Sequence, residues 1–139
     1  MMKRMMIFLF GFFAFFGVFA ADSTVYRDAS GRIVGRSIQQ GNRTVYRDSS
    51  GKIVGSSSQY GNRTVYRDAS GRVQGSATVQ GNRTVYRNAS GALEGSATRS
   101  GNRTTIYRDS SGRLKATGTQ NGNQTIYRDS SGRIILRKQ

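Results

Sequence analysis

From Thr24 onward the chain alternates apolar and polar residues over runs of a few positions, the pattern of half-buried strands. Two kinds of run recur, "TVYRD" and the likes of "RIVGRS", and each is bounded by "SG" or "GN". Those dipeptides supply glycine where a tight hairpin needs positive φ. The pattern predicts strand, turn, strand, turn within a repeated unit, and twelve short strands over the whole chain.

The repeat itself is nearly exact. Tyr26, Tyr46, Tyr66, Tyr86, Tyr107 and Tyr127 each open a "YR" step followed by Asp or Asn, at spacings of 20, 20, 20, 21 and 20 residues. One column stays apolar through Val25, Val45, Val65, Val85, Ile106 and Ile126, and a second through Ile33, Ile53, Val73, Leu93, Leu114 and Ile134. Disorder, the alternative that so much Ser, Gly and Arg invites, requires neither column.

Because side chains alternate along a strand and a period of 20 is even, equivalent residues share a face throughout a meander. If "SG" and "GN" are both plain two-residue loops, Tyr26 lies opposite Gly35 and Asp28 opposite Ile33. Tyr26, Ile33, Gly35 and Ser37 then share one face, while Val25, Arg27, Arg32, Val34, Arg36 and Arg43 share the other. The tyrosine face is the expected core, with Tyr26, Tyr46, Tyr66, Tyr86, Tyr107 and Tyr127 beside Ile33, Ile53, Val73, Leu93, Leu114 and Ile134. A tyrosine crossing a glycine covers bare backbone with its ring. The Val25 column, apolar on the expected outer face, fits this register poorly. A G1 bulge at Gly31 would carry it to the core and undo the sorting.

The single 21-residue step marks an extra residue at Thr104 or Thr105, expected as a strand bulge that keeps the last two units facing correctly. No unit buries enough to order itself, so stability is collective. A flat sheet of twelve strands leaves its core face wet. The expected fold is therefore all-β: an antiparallel hairpin meander of six units, curled into a roll or barrel-like sheet or paired with another copy.

Charge adds a functional dimension. The 139 residues hold 22 Lys and Arg against 7 Asp and Glu, a net charge of +15. Residues 1–20 carry Lys3 and Arg4 before the apolar run "MMIFLFGFFAFF", and "VFA" at 18–20 suits a signal peptidase. The expected organisation is a signal peptide at 1–20, cleaved after Ala20, and one domain at 21–139; an uncleaved membrane anchor is the alternative. Export to a periplasm, cell surface or medium follows. Without cysteine, no disulfide stabilises the exported chain. A lipid-embedded barrel does not fit, since strands of about five residues are half the length needed and arginines would face lipid.

At "GNRTVYRDASGRI" the unit resembles the YD repeats of RHS-type secreted shell proteins: a glycine-led turn, Thr, aromatics, Asp, then Gly-Arg and an aliphatic. Tyr66, Asp68, Gly71, Arg72 and Val73 carry the fullest match, although here Arg67 stands between the aromatic and the acid. The resemblance implies spiralling hairpin sheets. "SATVQGNRTV" is also similar to the repeats of curli-like amyloid subunits. Such a solenoid would stack identical arginines about 4.8 Å apart, whereas a meander separates them by about 9.5 Å, and charge favours the meander.

Catalysis finds no residues to rest on. The absence of His and Cys removes the usual bases, thiol nucleophiles and soft-metal ligands. Asp28, Asp48, Asp68, Asp109 and Asp129 stand at the mouths of turns, where Asp accepts backbone hydrogen bonds. One carboxylate per loop is too few for calcium. No cofactor, metal or enzymatic activity is expected. Sequons at Asn42, Asn62, Asn82, Asn88, Asn102 and Asn123 coincide with turn positions that favour Asn on conformational grounds.

The arginines are the functional candidates, because guanidinium binds phosphate and carboxylate through planar, paired donors. The expected anion-binding set is Arg27, Arg47, Arg67, Arg87, Arg108 and Arg128, then Arg32, Arg72, Arg113 and Arg133, then Arg43, Arg63, Arg83 and Arg103. The expected partner is an anionic polymer or membrane-surface phosphate. Nucleic acid is disfavoured, since the tyrosines that would stack on bases lie on the opposite face. Self-association into a fibre, coat or matrix through exposed end strands is the remaining reading.

Overall fold

The computed structural model describes residues 23–139. The expected signal peptide, residues 1–20 with cleavage after Ala20, lies outside the described residues. Twelve strands follow one another: β1 (Ser23–Arg27), β2 (Ile33–Gln40), β3 (Arg43–Asp48), β4 (Ile53–Tyr60), β5 (Arg63–Asp68) and β6 (Val73–Gln80), then β7 (Arg83–Asn88), β8 (Leu93–Ser100), β9 (Thr104–Asp109), β10 (Leu114–Asn121), β11 (Gln124–Asp129) and β12 (Ile134–Lys138). Each pairs antiparallel with its sequence neighbours, and β12 returns to β1, so the sheet closes into a barrel.

The closing seam uses the register of the seams before it. Between β2 and β3, Arg36 faces Arg47 and Ser37 faces Tyr46. Between β12 and β1, the equivalent residues Arg137 and Lys138 face Arg27 and Tyr26. The six units are thus related by pseudo-sixfold symmetry, and equivalent residues form rings around the barrel.

The two turn types divide between the two ends. Gln40 pairs directly with Arg43, leaving Gly41 and Asn42 as the two-residue loop that "GN" predicts, with Gly41 at φ 60°. At the "SG" end the loop is one residue longer. Asp28 accepts from the Gly31 N–H at 3.0 Å and donates its own N–H to the Arg32 carbonyl at 2.9 Å. Gly31 takes φ 87°, the geometry of a G1 bulge.

That extra residue by itself would reverse every face beyond it. A second bulge cancels it: Arg27 pairs with Ile33 but Tyr26 with Gly35, and Val34 is skipped. The same double irregularity recurs in the other five units. The expected Tyr26–Gly35 pairing survives, whereas the expected Asp28–Ile33 pairing is replaced by Arg27–Ile33.

The segment between the two bulges is turned over, which corrects one half of the expected core. Ile33, Ile53, Val73, Leu93, Leu114 and Ile134 stand on the outer wall beside the arginines. Ile53, Leu93 and Leu114 are 42% exposed and Val73 41%, while Ile33 and Ile134 are half-buried. The bulge residues Val34, Val54 and Ile135 pack against the core instead. The Val25 column remains on the outer wall, half-buried.

The tyrosine column is the core. Tyr26, Tyr46, Tyr66, Tyr86, Tyr107 and Tyr127 are all buried, with Ala77, Ala97, Ala116 and Leu136 among them. The four middle tyrosines are flanked on both sides by small residues, as Tyr86 is by Ala77 and Gly95, while Tyr26 and Tyr127 each meet one small residue and one long one, Lys138 and Leu136. A twelve-strand barrel is wider than the eight-strand barrels that ordinary side chains just fill, so one long ring per hairpin suits the inner wall. The rings of Tyr107 and Tyr127 meet at a centroid distance of 6.2 Å, tilted by 55°.

The extra residue of the fifth unit is not a strand bulge at Thr104 or Thr105. Ser100 pairs with Thr104, so the turn is lengthened to Gly101, Asn102 and Arg103. Ala97 still faces Tyr107, and the inner face is kept. A turn absorbs an insertion without breaking ladder hydrogen bonds, and so wins over a bulge.

The hydroxyls of these tyrosines are not equally placed. Tyr46 shares a buried 3.0 Å hydrogen bond with Ser57, whereas the buried Tyr66 hydroxyl has no protein partner. Tyr46→Phe should therefore cost about 1 kcal/mol, while Tyr66→Phe should be neutral or stabilising. Urea-denaturation midpoints of the two variants check the contrast. Burial also raises the ionisation of all six core tyrosines above the ordinary value. Stability from the neutral rings is present below about pH 10 and is lost as pH rises further. Phenolate absorbance from them should appear together with unfolding, not before it.

Candidate functional site

Each "YRDxSG" segment builds a self-contained loop. Asp48 Oδ1 accepts from the Ser50 N–H at 2.9 Å, the Ser50 hydroxyl at 2.6 Å and the Lys52 N–H at 3.0 Å. These bonds, led by the one from Ser50, hold the Asp48 carboxyl below its usual range, and Asp28, Asp68, Asp109 and Asp129 are shifted the same way by the equivalent serines. In the fourth unit Asn88 Oδ1 takes the same place, accepting from Ser90 Oγ at 2.7 Å and Ala92 N at 2.9 Å. The loop requires the oxygen more than the charge.

A pH dependence follows. A carboxyl with a depressed folded pKa contributes stability above its unfolded value, near 4, and loses it as pH falls through the folded value. Acid should therefore destabilise the barrel below about pH 4. A chain with the five turn aspartates, Asp28, Asp48, Asp68, Asp109 and Asp129, replaced by Asn should lose most of that acid dependence in a pH series of thermal unfolding curves.

The first expected anion-binding column sits at this same end, on the outer wall. Arg27, Arg47, Arg67, Arg87, Arg108 and Arg128 each donate NH1 to the turn carbonyl of Gly31, Gly51, Gly71, Gly91, Gly112 or Gly132, at 2.8–3.0 Å. One guanidinium nitrogen is thereby committed to the turn, which anchors the cation. The bond also ties the guanidinium to the carbonyl of the turn glycine, so this arginine is structural as well as charged. Sequence reasoning missed that role, although an arginine four residues ahead of every "SG" turn glycine was the available clue.

The second column, Arg32, Arg72, Arg113 and Arg133 with Lys52, lies exposed in the loop itself. Each cation stands four residues after an Asp and lowers its pKa electrostatically. The fourth unit lacks both partners at once, having Asn88 and Ala92. These cations are locally balanced, which weakens their case as binders.

The third column lies at the opposite end. Arg43, Arg63 and Arg83 begin their strands, Arg103 falls in the lengthened turn, and all four are exposed. Among the described residues no Asp or Glu side chain stands at this end. Asn42 and Asn62 cap the turns there, donating Nδ2 to the carbonyls of Gln59 and Val79 at 3.3 and 3.2 Å. The sequon hydroxyls of Thr64 and Thr84 face inward and are buried without a protein hydrogen-bond partner.

Arg36 and Arg137 complete the outer cations. Two cations are exceptions: Lys138 faces inward opposite Tyr26, where desolvation lowers its pKa, and Arg99 shares the face of Ala97 but is exposed at the end of its strand. Closure of the barrel thus places the six core tyrosines within and the Arg27 and Arg43 columns without. The turning over of Ile33 carries the Arg32 column with it, off the expected outer face and into the exposed loops, while the Arg27 and Arg43 columns keep their place on the outer wall.

Among the described residues no three of Asp, Glu, His and Cys gather as a metal site. The chain matches no known protein-family model and no curated protein sequence. Among solved structures it is similar to a protein from Arabidopsis thaliana, AT5G01750, at 10% identity and a TM-score of 0.61, over 86% of this chain and 81% of that one. At such identity the likeness is one of fold alone. BamB from Moraxella catarrhalis aligns at 9% identity over 76% of this chain and 55% of its own, with a TM-score of 0.31, and supports no inference.

Proposed function

We propose that the protein is an exported, non-enzymatic barrel that binds an anionic surface or polymer through its arginine-studded outer wall. One observation carries the reading. Arg43, Arg63, Arg83 and Arg103 form an exposed cationic end with no acidic side chain among the described residues, in a chain of net charge +15. An unbalanced field of this kind concentrates polyanions and gives salt-sensitive association.

Retention on a heparin column tests it. The protein should elute only at elevated salt, and replacing Arg43, Arg63, Arg83 and Arg103 with Gln should lower the eluting salt clearly. Passage through the column at low ionic strength would defeat the reading. Nucleic acid remains the weaker partner because all six core tyrosines are buried, leaving Tyr60, opposite Arg63, as the single exposed aromatic among the described residues. Self-assembly is favoured by one separate feature, the short seam between β1 and β12, which is discussed below.

A further inference from the structure

Ring symmetry gives the outer wall a second property. Arg47 lies directly across from Ile53, Arg67 from Val73, Arg87 from Leu93 and Arg108 from Leu114. The four aliphatics are 41–42% exposed, although a hairpin repeat free to vary could place polar residues there. Single exposed aliphatics are ordinary on protein surfaces. Here they recur in four successive units at one height, roughly 10 Å apart around the barrel, each beside an arginine anchored to its own turn.

A purely hydrophilic polyanion would find no use for that aliphatic ring. An anionic bilayer uses both halves: headgroup phosphates meet the guanidinium groups, and the aliphatics enter the boundary between headgroups and acyl chains. Resting on the proposed anion-binding function, we infer that the rim near the "SG" turns is a docking surface for anionic lipid bilayers. The barrel docks side-on, and two or three neighbouring units among β3–β10 engage a flat membrane.

The chain has no Trp, so a single Leu93→Trp variant reports on this rim alone. Its emission should shift to the blue on adding phosphatidylglycerol vesicles and stay unchanged with phosphatidylcholine vesicles or heparin. Replacing Ile53, Val73, Leu93 and Leu114 together with Ser should reduce phosphatidylglycerol-vesicle binding about tenfold or more, while heparin elution stays as in the parent protein. Ile53→Ser alone should change little, because other sectors of the ring remain. Near-ultraviolet dichroism of the core tyrosines verifies that the variants fold. Heparin retention without vesicle binding, or full vesicle binding by the quadruple variant, would overturn the lipid assignment and leave the anion-binding function standing. Binding to neither heparin nor vesicles would remove both.

Discussion

Tyr86→Ala should destabilise the barrel by about 3–5 kcal/mol, the range for deleting a large aromatic ring from a core. Tyr86 is 4% exposed and is flanked on both sides by residues with almost no side chain, Ala77 and Gly95. Neither neighbour has atoms with which to refill the space. Gly95 cannot be enlarged in compensation, because a Cβ built there would clash with the backbone carbonyl oxygen of Arg108. A domain of this size has a stability of only about 5–15 kcal/mol, so one ring is a large share of it. Tyr86→Phe keeps the ring and should retain most of the stability. Urea denaturation of the two variants separates loss of the ring from loss of the hydroxyl.

The second large effect concerns the seam. Most neighbouring strands share five or six register pairs, but β12 and β1 share Tyr26–Lys138 and Arg27–Arg137, supplemented by two hydrogen bonds between Val25 and Gln139. Ending the chain at Gly132 removes β12 and leaves β11 and β1 as open edges over an exposed tyrosine face. That chain should lose the cooperative monomeric transition and sediment as oligomers, since unpaired edges recruit other chains. The converse follows from the shared register. Joining Gln139 to Ser23 through Gln-Gln-Gly-Asn, the residues found at 39–42, supplies the turn that the sixth unit lacks. New termini opened between Gly61 and Asn62 should then give a folded monomer with the same tyrosine dichroism.

Strand number, hairpin order and the burial of the tyrosines were legible in the sequence because the 20-residue period is even and Tyr always crosses a small residue. The fate of Ile33 was not. A turn bulge at Gly31 and a strand bulge at Val34 cancel in register, so their trace is confined to the two residues between them, Arg32 and Ile33. An apolar column looks alike whether it packs inward or lines an outer rim. Exact closure was hidden for a different reason: the seam joins residues 26 and 138, and no local pattern encodes a contact at that distance. Of the candidate site, the three arginine columns were visible as charge, but their unequal standing was not. Only coordinates separate the Arg27 column, tied to turn carbonyls, from the Arg32 column beside carboxylates and the uncompensated Arg43 column.

Everything said of the outer wall depends on the barrel closing upon itself in this register. Val25 and Gln139 exchange both backbone hydrogen bonds, at 2.7 and 3.0 Å, so the adjacent pair Tyr26–Lys138 is a narrow, non-hydrogen-bonded one. Their α-protons are then close enough for a strong nuclear Overhauser cross-peak. An isotope-filtered spectrum of mixed labelled and unlabelled protein should show that cross-peak within single chains. Its absence, or its appearance only between chains, would contradict the closed six-unit barrel.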